Sequence, residues 1–429
     1  MSLVQRDKNL IWHPFTQEKT AREILAITSG KGAYLYDENG KGYLDLISSW
    51  WVNLHGHAQP DIAQAIYQQS QKLEHVIFAG FTHEPAINLC DALKAMLPDQ
   101  LTKFFFSDNG STAVEVALKM SYQYWKNLGH TNKNIFVSFE GGYHGDTFGA
   151  MSVGSQSGFH DVFSDLFFKT TSIYFPATWE NDPLVEEKEQ KSLTQLEIYL
   201  AENHNNIAAF ILEPLIQGAS GMRFCRPVFL NKFINILKNY DILIIFDEIM
   251  TGFGRTGSYF AFQQLDNITP DFLCLSKGLT GGFLPLALTI TNKKIYNAFL
   301  SDNINKAFLH GHSYTANPLA CAAANCSLEL LQQDSCQKKL LTLPELHKKG
   351  LDILCKNPKI SQLRYKGTIS AFNVEISVDK INQLKQQFIQ ASLLIRPLGK
   401  TIYLLPPYCI TEKELINAYE RIDEILSLI

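Results

Sequence analysis

The sequence predicts an α/β protein: a large domain built on a mostly parallel sheet flanked by helices, with a smaller α+β domain beside it. Two apolar runs of strand length, ILIIF and FLCLS, each close on a polar residue, Asp247 and Lys277. From Phe104 to Ala287 strand-like runs alternate with helical stretches, the order that calls for parallel strands with helices on both faces. Short strand signals outside that region place both chain ends in one smaller unit. The boundaries read as residues 1–60 for an N-terminal segment of the small domain, 61–324 for the large domain and 325–429 for the C-terminal part.

In chain order, GAYLYDENGK and GYLDLISSWWV read as strands joined by a hairpin turn at Asn39-Gly40. The pattern from Pro60 to Met96 is helical. KFFFSDNGSTAVEVALKM then gives a strand, a turn and a helix with Val114, Ala117, Leu118, Ser121, Tyr122 and Trp125 on one buried face. Thr112 with Glu115 reads as a capping box. A Gly-Ser-Thr turn opening a helix offers backbone N–H groups to an anion. NIFVSFE and IAAFILEP are further strands, with Glu213 and Gln217 as cavity candidates at the end of the second. The acidic stretch from Pro176 to Gln195 is a solvated loop and helix start. After NPLACAAAN a long helix leads to strands SAFNVEI and TIYLLPP, with Arg396 between them. Of Trp50 and Trp51, one reads as a core residue.

An acid and an amine leaving adjacent strand ends lie where open α/β sheets bind ligands. They are the pair that pyridoxal phosphate requires. The amine condenses with the aldehyde, and the carboxylate keeps the pyridine nitrogen protonated so that the ring can accept carbanion electrons. Taken alone, the two residues read first as a buried structural ion pair. The residues around them decide between the readings.

DEIMTGFGRTG at Asp247 to Gly257, LSKGLTGG at Leu275 to Gly282 and FEGGYHGDTFGAMSVG at Phe139 to Gly154 resemble the class III (omega-amino acid) aminotransferases, fold-type I enzymes that use pyridoxal phosphate. Within the family, IWHPFTQ, SSWWVNLHGH, NPLACAAAN and IRPLGKTIYLLPPY resemble the branch that aminates 8-amino-7-oxononanoate in biotin biosynthesis, with S-adenosylmethionine as the usual donor. The resemblance implies Lys277 as the cofactor amine, Asp247 at the ring nitrogen and Tyr143 over the ring. It implies Gly110 and Ser111 at the phosphate, joined by Gly311, His312 and Ser313 from the neighbouring subunit of a homodimer. Phe15, Trp50, Tyr143, Asp146, Lys277, Gly311 and Arg396 are implied at the substrate, where the arginine fork suits a carboxylate. Two positions depart from the branch pattern: Phe15 stands where tyrosine is usual, and Gly311-His312-Ser313 where Gly-Pro-Thr is common. Another omega-amine substrate, an aminomutase activity and a lysine donor remain open, because each keeps Asp247 and Lys277. A regulatory module that merely binds the cofactor would need a DNA-binding extension or a lost lysine.

The 429 residues are 46% apolar with a net charge of −4, which suits a globular enzyme and gives no case for nucleic acid or an anionic membrane. The first residues lack the apolar core of a signal peptide, so the expectation is a soluble cytoplasmic protein. Eight cysteines without a C-x-x-C spacing show neither a disulfide framework nor a zinc pattern. HGH occurs at His55 to His57 and at His310 to His312 with no carboxylate or cysteine at ligand spacing, so no metal site is expected.

Overall fold

Valine, isoleucine, phenylalanine and leucine dominate the apolar runs, and side chains of that shape fit a pleated surface covered on both sides. The computed structural model describes residues 2–21, 24–154, 158 and 160–428. At the N-terminal end, β1 (Ile27–Lys31), β2 (Tyr34–Asp37) and β3 (Gly42–Asp45) pair antiparallel in sequence, the turn between β2 and β3 using Gly40 at φ 79°. Two helices follow, Pro60–Ser70 and Glu84–Met96.

The centre is a seven-stranded sheet. Its strands are β4 (Leu101–Ser107), β5 (Ile135–Phe139), β6 (Thr170–Ile173) and β7 (Ile207–Leu212). A short antiparallel ladder of β8 (Ile216–Gln217) and β9 (Arg223–Phe224) intervenes, and β10 (Leu243–Asp247), β11 (Phe272–Leu275) and β12 (Ala287–Asn292) complete the sheet. The order is β4-β12-β11-β10-β7-β5-β6. The strands from β11 to β6 run parallel, while β12 is antiparallel to both neighbours. β7 and β10 are buried at every position, as strands covered on both faces must be.

The helix Gly110–Asn127 packs on this sheet through Val114, Ala117, Leu118, Ser121, Tyr124 and Trp125. Tyr122, expected on that face, is instead 41% exposed. A straight helix turns through about 100° per residue, so the buried stripe drifts from a strict i, i+4, i+8 line and takes in Tyr124. The capping box also differs: Asn109 is the N-cap, exchanging hydrogen bonds with Thr112. Glu115 lies one turn too deep to reach that end, and its Oε1 accepts from the N–H groups of Gly149 and Ala150 at the start of the helix Phe148–Val153.

The long helices Pro318–Gln332 and Asp334–Leu354 lead to β13 (Ile360–Lys366), β14 (Ile369–Val374), β15 (Leu393–Leu394) and β16 (Thr401–Leu404). β14 pairs antiparallel with β13 and β16, and β15 joins the N-terminal sheet, parallel to β3. Among the described residues no helix is long and apolar enough to cross a membrane. All eight cysteines are free thiols. The first HGH motif has structural partners: His55 bonds Ser327, and His57 bonds Asp45 and Asn53.

Candidate active site

β10 and β11 lie side by side with Asp247 opposite Cys274, so the acid and the amine emerge from neighbouring strands at one sheet edge. Both line a cavity of about 670 Å³, together with Gly110, Ser111, Tyr143, Asp146 and Glu213. Asp247 is buried; its Oδ2 is 2.8 Å from His144 Nδ1 and its Oδ1 accepts from the Ile249 N–H at 3.1 Å. The carboxylate therefore has two partners from its own chain. Burial lowers the pKa of Lys277, against the opposing charges of Asp247, Glu213 and Asp146. Its Nζ sits 4.5 Å from the centre of the Trp51 ring.

Glu213 follows β7. Its two oxygens accept from the backbone N–H groups of Tyr143, at 3.1 Å, and Gly218, at 2.8 Å. Burial nevertheless pushes its carboxyl up to about 7. The Tyr143 ring stacks on His160 with centroids 5.6 Å apart, and His160 Nε2 bonds Asp146 at 2.9 Å. Burial, then the neighbouring Asp146, raises the Tyr143 phenol.

The cavity is also lined by the N-terminus of the helix Gly110–Asn127, whose first N–H groups lack partners within the helix. A side chain at Gly110 would meet Ile249 at 2.9 Å, and one at Gly145 would strike Ser111. Glycine at these positions lets Ile249 and Ser111 pack directly against the backbone of the helix start and of the Tyr143–Thr147 loop. Ser111 Oγ accepts from the Thr147 N–H at 2.9 Å and shares a hydrogen bond with the Thr147 hydroxyl, fixing the Tyr143–Thr147 loop to the helix start.

A second group gathers around Trp50, the sequence neighbour of the lining residue Trp51; Phe15, Trp50 and Arg396, expected at the substrate, are not themselves on the lining. Arg396 places its guanidinium carbon 4.1 Å from the centre of the Trp50 ring, and Phe15 meets the same ring edge-on at 5.4 Å. The indole on the cavity lining itself is Trp51, whereas Trp50 is 37% exposed. Both stand on a turn in which Ser48, Ser49, Trp50 and Trp51 have φ of 50°, 45°, 72° and 75°. Left-handed backbone costs a non-glycine residue roughly 1–2 kcal/mol, so this turn costs roughly 4–8 kcal/mol that its surroundings must offset.

Gly311, His312 and Ser313 are not part of the lining from their own chain. His312 Nδ1 lies 3.9 Å from Asp108, beside the turn that begins the Gly110–Asn127 helix. Gln217, expected at the cavity, points its amide at the Glu140 carbonyl. The sequence reading missed His144, the partner of Asp247, although it directly follows Tyr143 in GGYHGD. It also missed Arg255, which is buried and donates to the carbonyls of Pro406, Trp51 and Asn53. A charged residue inside the glycine-rich run TGFGRTG was the available signal.

Residues 16–426 match the class III aminotransferase family, and the chain belongs to it. It is 50% identical over 421 residues to the adenosylmethionine-8-amino-7-oxononanoate aminotransferase of Synechococcus elongatus, covering 97% of this chain and 98% of that one. The crystal structure of the adenosylmethionine-8-amino-7-oxononanoate aminotransferase of Methanocaldococcus jannaschii superimposes with a TM-score of 0.92 at 35% identity, over 99% of this chain and 98% of the other. An amine transaminase from an uncultivated Pseudomonas species, in its PLP-bound form, superimposes at 0.90 with 28% identity over 98% of each chain.

Proposed function

We propose that this chain transfers an amino group from S-adenosylmethionine to 8-amino-7-oxononanoate, giving 7,8-diaminononanoate in biotin biosynthesis, with pyridoxal phosphate as cofactor. The observation that carries the reaction type is the placement of a half-buried amine, Lys277, and a buried carboxylate backed by His144 on one cavity at adjacent strand ends. The residues present fit the cofactor: Asp247 for a ring nitrogen, Lys277 for an aldehyde, Tyr143 for a ring face, and the helix N-terminus at Gly110 and Ser111 for a phosphate. When bound, the cofactor supplies an electron-accepting ring.

The chain's own residues do the rest. Asp247, oriented by the N–H of Ile249 and by His144, presents its carboxylate where a ring proton must stay. Lys277 Nζ, biased by burial toward its neutral form, removes the proton from the amino-bearing carbon of the donor. In the second half of the reaction it delivers a proton to the acceptor carbon. Arg396 receives the acceptor's carboxylate, and Trp50 and Phe15 form an apolar wall for its methylene chain. Tyr143 and Asp146 hold the reacting end.

The assembly is a two-fold homodimer in which each subunit lends its loop of Gly311, His312 and Ser313 to the phosphate end of its neighbour's cavity. Leu309 and Tyr314, which flank that loop, are 71% and 63% exposed, as befits a face covered by a second copy. Sedimentation of the active enzyme is expected to give a dimer, and a fully active monomer would refute this arrangement.

The reaction is tested by following cofactor absorbance as single donors and acceptors are added. S-adenosylmethionine alone should convert the cofactor, and 8-amino-7-oxononanoate alone should convert it back. Conversion by lysine but not by S-adenosylmethionine would replace the donor, and failure of the keto acid to reverse it would replace the acceptor.

A further inference from the structure

Four consecutive non-glycine residues in left-handed backbone have no local reason to adopt it, and such strain collects where a fold must aim particular side chains. The turn Ser48–Trp51 is tied to its surroundings from two directions. On one side Ser48 Oγ donates to the Leu405 carbonyl at 2.7 Å, Trp51 Nε1 donates to Tyr403 Oη at 3.0 Å, and Arg255 donates to the Trp51 carbonyl at 3.2 Å. These ties hold Ser48 and Trp51, the two ends. None of them reaches Ser49 or Trp50.

The middle of the turn is held from Asp45, at the end of β3 and fully buried. Its Oδ1 accepts from the Ile47 N–H at 3.1 Å; its Oδ2 accepts from Ser49 Oγ at 2.8 Å and lies 2.9 Å from His57 Nε2. The Asn53 amide nitrogen is 3.2 Å from His57 Nδ1. An amide nitrogen can only donate there, so Nδ1 accepts and Nε2 is the nitrogen that donates to Asp45. The segment from Asp45 to His57 is thereby closed into a loop by a continuous chain of hydrogen bonds that ends on one carboxylate.

We infer that Asp45 is a positioning residue for substrate: through Ser49 it fixes the left-handed turn and so sets Trp50 between Arg396 and Phe15, without touching substrate itself. The consequence is a division of labour within one turn. Trp51, with its own ties to Tyr403 and Arg255, keeps its place beside Lys277 when Asp45 is altered. Trp50 does not, so the defect falls on acceptor binding rather than on turnover. The inference rests on the proposal that Trp50 walls the acceptor site.

Asp45→Asn keeps the size of the side chain but sets an amide nitrogen against donors. It is expected to raise KM for 8-amino-7-oxononanoate about tenfold, the loss that follows when a hydrogen bond to a charged group fails, while kcat changes less than about threefold. Trp50→Ala should raise the same KM, and Asp45→Asn added to it should raise it no more than about twofold further, because both act through one indole. In the apoprotein, Asp45→Asn should reproduce part of the near-ultraviolet circular dichroism change caused by Trp50→Ala. If Asp45→Asn does not fold, Ser49→Ala, which leaves the carboxylate and its His57 bond in place, is expected to move KM in the same direction by about threefold. A KM effect of Trp50→Ala with none from Asp45→Asn or Ser49→Ala, or multiplication of the two KM effects in the double variant, overturns the inference. An unchanged apoprotein spectrum does the same. No KM effect from Trp50→Ala sinks the proposed acceptor wall, and the inference with it.

Discussion

Asp247 and Lys277 stand at the ends of neighbouring strands in a sheet buried on both faces, whereas Trp50 and Trp51 stand on a left-handed turn tied down by side chains from distant parts of the chain. The first region places its side chains by regular pairing and bears its cost in buried ionisable groups. The second places its side chains by hydrogen bonds to Asp45, Leu405, Tyr403 and Arg255 and bears its cost in backbone conformation. A rigid sheet suits chemistry shared by a whole family, because acid and amine keep their separation whatever the substrate. An irregular wall can be re-formed by a few substitutions, which is where selectivity among substrates can change without disturbing the reaction.

The largest effect that separates the two regions is expected from Lys277→Ala. Loss of the amine should lower kcat by about 10⁴-fold or more, the upper end of what a positioned acid–base group supplies, with the fold intact by circular dichroism. A variant that kept most of its activity would move the reaction away from the strand ends.

The next is a stability effect at Glu213, whose carboxyl lies at about 7 when folded against 4.5 unperturbed. Between those values the unfolded chain has released the proton and the folded one retains it, so wild-type stability falls as pH rises through the window and levels off above about pH 7. Glu213→Gln removes this dependence. The stability of the variant apoprotein relative to wild type should climb by about 3 kcal/mol from pH 4.5 to 7.5, at about 1.36 kcal/mol per unit. A difference that stays flat in denaturant titrations at several pH values would mean that the N–H groups of Tyr143 and Gly218 keep the carboxylate ionised throughout.

On the wall, Arg396→Ala should weaken 8-amino-7-oxononanoate by about ten- to a hundredfold, the range for a lost charged hydrogen bond, and S-adenosylmethionine far less. Equal losses in the two half-reactions would assign the guanidinium to packing on Trp50 alone. The smallest effect is expected from Phe15→Tyr. One added hydroxyl is worth about 0.5–1.5 kcal/mol, so the rate of the keto-acid half-reaction should change by no more than about tenfold. Phe15 is 49% exposed in the single chain, so the added hydroxyl carries no burial penalty there, and a rate unchanged within error would take Phe15 away from substrate.

The same contrast explains what could be seen in the sequence. Apolar runs closing on Asp247 and Lys277 are a local signal, and the strands formed where they were expected. The glycines before Tyr143 and at Gly110 were equally visible as turns. The bond from His144 to Asp247 spans 103 residues and depends on how β5 and β10 lie in the sheet, which no local pattern encodes. Asn109 was passed over as the helix cap because Thr112 and Glu115 offer the same spacing one turn later. The left-handed turn left no trace at all: Ser-Ser-Trp-Trp contains no glycine, and it is held in that form by Asp45 and by residues some 200 to 350 positions away, Arg255, Tyr403 and Leu405.

Those distant contacts also bear on when the enzyme becomes functional during its synthesis. Ser48 waits for Leu405, 357 residues further on, Trp51 waits for Tyr403, and β3 waits for β15. At about 5–20 residues per second on the ribosome, roughly 18–70 s separate the emergence of the tryptophans from that of their anchors. The central sheet, with β4 to β12 contiguous in the chain, can assemble within that interval, while Ser48 and Trp51 still lack their anchors on Leu405 and Tyr403. A nascent chain halted before Tyr403 would therefore carry its amine and its acid on a formed sheet while the two ends of the tryptophan turn are still without their distant anchors.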